Sequence, residues 1–298
     1  MELPVVNHPD YVAKINDDNK FPIKKFDALA TSLLNEGVVK NFHIPKECSI
    51  ETMRLSHSLE YINHIRNKTV DIKLQKKIGF PINDSVVRRS FVATGGTVLA
   101  SKLALDSKLA CNTAGGSHHA TFDYGAGYCV FNDVAVAANY LKNKNYAKKI
   151  LIVDLDVHQG NGNSEIFKND QNILTFSMHC ASNYPAKKSI SDIDIELKDH
   201  MEDKEYLNIL YKNLKELSKN KYDFVFYIAG VDIHFEDRLG KLKITDDGIN
   251  KRDQIVIENF YSKNTPLCGV LGGGYNKSFE KLIELHSMLH KNCANYFS

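Results

Sequence analysis

Lys149-Ile150-Leu151-Ile152-Val153 runs directly into Asp154-Leu155-Asp156-Val157-His158-Gln159-Gly160-Asn161-Gly162. An aliphatic run without polar alternation is the pattern of a strand covered on both faces, as in a parallel sheet. The glycines that close the passage mark the turn out of that strand. Asp156 and His158 stand two positions apart, so in extended backbone their side chains leave from the same side. One carboxylate and one imidazole are two of the three protein ligands of an open catalytic metal site. They also lie where open α/β sheets bind ligands, at the carboxyl end of a strand.

The chain has 298 residues, 43% of them hydrophobic, enough for one large α/β domain or two small ones, and the lack of an internal repeat or of a linker rich in Pro, Gly or Ser favours one. Its 38 basic and 36 acidic residues leave a net charge of +2, and the lysines are scattered. No basic stripe points to nucleic acid. Six cysteines (Cys48, Cys111, Cys129, Cys180, Cys268, Cys293) form no C-x-x-C pair. Several sit in apolar runs, which fits a reducing compartment rather than a disulfide framework. Met1 to Val6 carries no secretory signal pattern, and no apolar run approaches the roughly 20 residues of a membrane helix. A cytoplasmic protein is the expectation.

Strand and helix patterns alternate along the chain. Helices are expected over 26–36, 58–66, 85–105, 133–141, 204–219, 246–262 and 278–290, and a short one after Ser49. Strands are expected over 109–112, 149–153, 173–178, 223–230 and 266–271, with another near the N-terminus; residues 186–203 fit no element. That alternation implies a parallel sheet with helices on both faces. His57 and His64 flank a helix and read as structural or exposed.

Polar residues gather after the strands. His118-His119 follows one, Asp154, Asp156 and His158 a second, Asp232 another, and Gly272-Gly273-Gly274-Tyr275 the last. Asp156, His158 and Asp232 would supply two carboxylates and one imidazole, a set that suits zinc and that ferrous iron also accepts. His118 and His119 suit proton transfer, because imidazole titrates near neutrality. Asp154 is the candidate to orient one of those rings, and Asn161 the other without a charge. Tyr275 is a candidate oxyanion donor. The triple glycine is not a phosphate loop, since Lys277-Ser278 would need glycines where Asn276 and Leu271 stand.

Gly116-Ser117-His118-His119-Ala120, Gly127-Tyr128-Cys129-Val130-Phe131-Asn132-Asp133, Asp154-Leu155-Asp156-Val157-His158, Ala229-Gly230-Val231-Asp232 and Gly272-Gly273-Gly274-Tyr275 together resemble the motif set of zinc-dependent histone deacetylases. They occur in family order over roughly residues 1–290. Lys20-Phe21-Pro22, His158-Gln159-Gly160-Asn161-Gly162 and Asp237-Arg238-Leu239-Gly240 are similar to the class IV branch. The resemblance implies a single catalytic domain over residues 1–298, of three-layer arginase/deacetylase-like α/β fold. Its central sheet would have about eight mostly parallel strands.

Carried over by position, the resemblance implies zinc on Asp156, His158 and Asp232. It makes His119 the general base and acid, with His118 and Asp154 as electrostatic partners, and has Tyr275 polarise the scissile carbonyl. The Gly127 carbonyl would accept the substrate amide N–H, and Tyr128 and Tyr184 would wall a tunnel for an acylated lysine. A structural potassium or sodium ion would sit on the carbonyls of Asp154, Asp156, His158 and Met178 with the side chains of Asp156 and Ser177. Two departures limit the transfer. Asn161 stands where class I enzymes have an aspartate, and the loop from Cys180 to Pro185 looks shorter than theirs, so the acyl preference does not carry over.

The implied activity is hydrolysis of acyl groups, acetyl or longer, from lysine Nε amides of a protein or peptide, by attack of zinc-bound water. One alternative is a small acylated amine such as an acetylpolyamine, which an acidic tunnel rim would favour; Glu36, Glu60 and Asp84 are the acids to locate. Another is a non-catalytic acyl-lysine binding module. A ureohydrolase generally needs two metals and more carboxylates.

Overall fold

Ile150, Leu151, Ile152 and Val153 have no exposed surface and belong to an interior strand of the sheet. Each contributes about 1.5–3 kcal/mol through burial. The structure, a computed structural model, describes residues 2–16 and 19–297. Met1, where the search for a signal pattern began, lies outside them.

Seven strands occur among the described residues: β1 (Val5–Val6), β2 (Leu109–Asn112), β3 (Ile150–Asp154), β4 (Ile173–Cys180), β5 (Ile193–Leu197), β6 (Phe224–Ile228) and β7 (Leu267–Val270). They form one sheet in the order β1-β2-β7-β6-β3-β4-β5, and every pairing is parallel. The expected eight, mostly parallel, are thus seven, all parallel. Strand β5 falls in the stretch that fitted no element. Its Ile193-Asp194-Ile195-Glu196-Leu197 sits at the sheet edge and is mostly half-buried, so it lacks the continuous apolar run that marks β3.

The helices are α1 (Lys25–Asn35), α2 (Ile50–Met53), α3 (Leu59–Asn67), α4 (Ile72–Ile78), α5 (Asp84–Ser107), α6 (Asp133–Asn143), α7 (Asn161–Phe167), α8 (Asp203–Leu217), α9 (Asp246–Tyr261) and α10 (Phe279–Ala294). Their starts follow local chemistry. Ser49, Ser58, Asp71, Asn83, Asn132, Thr245 and Ser278 each accept a hydrogen bond from the amide three residues on. Helix α4 was not expected, because Ile72-Lys73-Leu74-Gln75-Lys76-Lys77-Ile78 is short and mostly charged.

Alternation along β3 divides the core. Leu151 and Val153 join one apolar cluster with residues of α1, α8, α9 and α10, while Ile150 and Ile152 join a second with α5 and α6. The result is three layers. Register brings the carboxyl ends of the central strands level: Asp154 pairs with Ser177 of β4 and Ile228 of β6, and Ile228 pairs with Val270 of β7. Everything immediately beyond those residues therefore emerges on one side of the sheet.

His57 and His290 are buried structural rings. His57 Nδ1 donates to the Thr121 carbonyl at 2.8 Å, and its Nε2 accepts from the Asn132 amide at 2.9 Å. His64, in contrast, is exposed. Burial lowers both His57 and His290 to about 4. The unfolded chain takes up these protons near pH 6.5, before the folded one does, so their contribution is complete above about pH 6.5 and falls toward about pH 4. We predict a melting temperature that drops between about pH 7 and about pH 5. A flat profile over that interval would contradict the neutral assignment of these rings.

Candidate active site

Beyond β3 the chain turns at Leu155-Asp156-Val157-His158, and beyond β6 it turns at Gly230-Val231-Asp232. Asp156, His158 and Asp232 meet there, all buried, with one ligand atom from each within 4.8 Å of the others. His158 Nδ1 lies 3.0 Å from Asp156 Oδ1 and 3.1 Å from Asp232 Oδ2. The remaining oxygens are held by backbone. The Gly273 amide donates to Asp156 Oδ2 at 2.5 Å, and the Val157 amide donates to Asp232 Oδ1 at 3.0 Å. Gly273 is required by this approach, because a Cβ there would stand 1.8 Å from Asp232 Oδ2.

Asp232 Oδ2 is fully buried and has no well-aligned hydrogen-bond donor, only the ion-pair approach of His158 Nδ1 at 3.1 Å. Burial and the neighbouring Asp156 carboxylate raise Asp232 to about 7. Burial opposes charge on His158, yet the close Asp156 and Asp232 carboxylates raise it to about 10. A single ring N–H thus faces two buried carboxylates and is aligned with only one of them, Asp156. A divalent cation satisfies such a set better than a proton, and two oxygens with one nitrogen suit zinc. The residues present therefore fit the metal.

The two histidines that follow β2 flank this cluster, their rings 4.1 Å apart. Asp154 Oδ2 accepts from His118 Nδ1 at 2.7 Å, and Asn161 Oδ1 accepts from His119 Nδ1 at 2.7 Å. The partners have opposite consequences. Burial works against charge on His118, but the Asp154 and Asp156 carboxylates outweigh it and raise the ring to about 9. His119 is held well below its usual value by burial, then by His118 and His158. One ring of the pair carries a proton and the other is a free base.

Two cavities meet at these residues. An outer one of about 400 Å3 is lined by Lys76, Lys77, Gly127, Tyr128, Tyr184 and Leu239, and reaches His119, His158 and Tyr275. Tyr184 stands edge-on to His119, with ring centroids 4.8 Å apart, and Tyr128 lies 5.8 Å from Tyr275. An inner chamber of about 40 Å3 continues past Asp156 and His158 to Phe21, Phe26 and Arg89. Burial raises the Tyr275 hydroxyl well above its usual value, so it stays a hydrogen-bond donor.

Ser177 is buried opposite Asp154, with its Oγ 3.0 Å from His179 Nδ1, and Met178 is buried beside it. Glu36, Glu60 and Asp84 are not in the mouth. Glu36 pairs with Lys291, Glu60 with His64 and Asp84 with Lys68.

Several residues of the site escaped sequence reasoning. Lys25 is completely buried beneath the glycine turn, its Nζ 3.2 Å from the Gly272 carbonyl and 3.2 Å from His286 Nε2. Burial lowers it to about 8, against the pull of Asp232 and Asp156. Arg89 is also buried and donates to the Tyr11 carbonyl at 2.9 Å. In sequence, Lys25 and Arg89 fall at helical spacing on the apolar stripes of Leu29 with Leu33 and of Val86 with Ala93, a signal that could have marked them as the inward members of their basic pairs.

A family model described as the histone deacetylase domain matches residues 20–288. The chain belongs to the histone deacetylase family. It is 44% identical to an uncharacterised protein of Picosynechococcus sp. over the whole of both chains. It is 31% identical to histone deacetylase 2 of Arabidopsis thaliana, over 88% of this chain and 71% of that one. The crystal structure of an HDAC homologue complexed with SAHA superposes with a TM-score of 0.86 at 24% identity, covering 99% of this chain and 84% of that one. The fold is therefore that of histone deacetylases, and membership supports a hydrolase acting on acetylated amides. No helix among the described residues is long and apolar enough to cross a membrane.

If Asp232 completes the metal set of this deacetylase, Asp232→Ala loses bound zinc while the wild-type chain holds one ion. Elemental analysis after dialysis reads the outcome, and unchanged zinc in the variant would contradict the ligand assignment.

Proposed function

We propose that the protein is a zinc-dependent deacetylase that removes acetyl groups from lysine Nε amides. The observation that carries this reading is the junction of the two cavities at His119, His158 and Tyr275, with Asp156 and His118 lining the inner one and Asp232 grouped with Asp156 and His158 behind it. Zinc on those three residues would polarise the acyl carbonyl and lower the pKa of water from about 16 to about 7; ferrous iron suits the same donors.

The remaining chemistry belongs to the chain. Because His119 Nδ1 donates to Asn161, its Nε2 is free to take the proton of the attacking water and later to pass one to the leaving amine. His118, protonated beside Asp154, offsets the negative charge that develops. Tyr275 donates its hydroxyl to the oxyanion. The Gly127 carbonyl accepts the substrate amide N–H, and Tyr128 and Tyr184 enclose the lysine stem. Potassium or sodium on the carbonyls of Asp154, Asp156, His158 and Met178, with the Asp156 and Ser177 side chains, would brace the turn from behind.

Size favours acetyl over longer acyl groups. A water-sized atom needs about 10–15 Å3 by this measure, so the inner chamber of about 40 Å3 takes roughly three heavy atoms. That matches an acetyl group, whereas a fatty chain would have to displace Phe21, Phe26 or Arg89. Charge disfavours the polyamine alternative. Lys76 and Lys77 line the mouth, and no carboxylate among the described residues lines it with them. The similarity of Lys20-Phe21-Pro22 and Asp237–Gly240 to the class IV branch supports a class IV-like member. Six free, buried cysteines are consistent with a cytoplasmic setting.

With zinc restored, acetyl-lysine peptides are expected to be hydrolysed with the highest kcat/KM among acetyl, octanoyl, myristoyl and acetylputrescine substrates. Preference for myristoyl, or for acetylputrescine, would overturn the substrate assignment. Tyr275→Phe is expected to retain zinc and lose about 100- to 1,000-fold in kcat. Full activity in that variant would remove Tyr275 from the mechanism.

A further inference from the structure

Asp237-Arg238-Leu239-Gly240 has no chemical role in the mechanism above, yet it abuts two of the site's key residues. Asp237 is buried. Its Oδ1 accepts from the amides of Leu239 at 2.8 Å and Gly240 at 3.0 Å, which closes a tight turn. Its Oδ2 faces the other way and accepts from the Tyr275 amide at 2.6 Å. The Arg238 amide donates to the Tyr275 carbonyl at 3.4 Å, so both backbone groups of Tyr275 are held by this turn. Gly240 packs directly on Asp232: a Cβ at Gly240 would stand 1.7 Å from the Asp232 carbonyl oxygen. Leu239 meanwhile lines the outer cavity, and its carbonyl accepts from Asn183 Nδ2 at 2.7 Å, beside Tyr184.

One carboxylate thus joins the backbone of Tyr275 to a turn built against the Asp232 backbone. Tyr275 itself follows three glycines, which restrain its backbone least of all residues. We propose that Asp237 is the positioning residue for Tyr275, fixing the tyrosine relative to the Asp156, His158 and Asp232 cluster. The proposal rests on the reading of Tyr275 as oxyanion donor. Asp237 touches neither substrate nor metal in this role; it acts through the tyrosine. A displacement of about 1 Å in such a group costs on the order of 100-fold in rate.

Asp237→Asn isolates the contact. Asn keeps the shape and leaves one oxygen for Leu239 and Gly240, but turns an N–H donor toward the Tyr275 amide. The test is a double-mutant cycle of Asp237→Asn and Tyr275→Phe on the zinc-loaded protein, with zinc content and amide exchange measured in parallel. Asp237→Asn is expected to lower kcat about 10- to 100-fold with KM and zinc content unchanged. In the Tyr275→Phe background it is expected to change kcat by less than about twofold, because the group it positions is gone. The Tyr275 amide is expected to be protected from exchange in the wild type and about tenfold or more faster in Asp237→Asn.

An equal loss in both backgrounds would overturn the proposal, since Asp237 would then act elsewhere. Full activity of Tyr275→Phe would overturn the tyrosine's role itself, a result distinct from additivity. If Asp237→Asn does not fold, the wild-type exchange measurement still decides: an unprotected Tyr275 amide overturns the proposal.

Discussion

Asp156 and Asp232 are two carboxylates with essentially no access to water, and a single imidazole, His158, stands between them. Burying like charges together is costly unless a cation and a full set of donors compensate. The surrounding structure reads as that compensation. Amides of Val157 and Gly273 point at the carboxylate oxygens, and the glycine turn packs so closely that no side chain fits at Gly273. Lys25 sits beneath the same turn as a buried positive charge. The oxygen still lacking a well-aligned donor, Asp232 Oδ2, is where a divalent ion would complete the balance.

Sheet register makes this assembly possible. Asp154, Ser177, Ile228 and Val270 lie level across adjacent strands, so the loops that leave them converge without further adjustment. The same turn that supplies Asp156 and His158 also supplies Asp154, which charges His118. One residue into α7, Asn161 leaves His119 neutral. Two adjacent histidines acquire different protonation states because one faces a carboxylate and the other an amide. That difference is what supports the proposed division of proton-transfer and electrostatic roles between them.

Much of this was legible in the sequence because the central strands are short, aliphatic and followed by their functional residues. The Asp156, His158 and Asp232 grouping came from strand-end position; the sequence offers Asp154 and Asn161 as backing for the two histidines without saying which backs which, and only the family resemblance puts Asp154 with His118. Other features were hidden for identifiable reasons. Strand β5 alternates apolar and charged residues at an edge. Lys25 and Arg89 lie on the apolar stripes of their helices, but a basic side chain there reads as an interruption until packing shows it buried. The sizes of the two cavities, and the lysines at the mouth, depend on loops whose paths no local pattern encodes. Acyl length and rim charge, which motif resemblance left open, are therefore matters of packing.

The central claim is that Asp156, His158 and Asp232 hold one divalent ion in an oxygen- and nitrogen-rich set. X-ray absorption at the zinc edge of the zinc-loaded protein tests it most directly. The account predicts one zinc per chain, with one imidazole nitrogen, carboxylate oxygens and no sulfur among its ligands. Thiolate ligation, or an ion bound by several imidazoles, would contradict it.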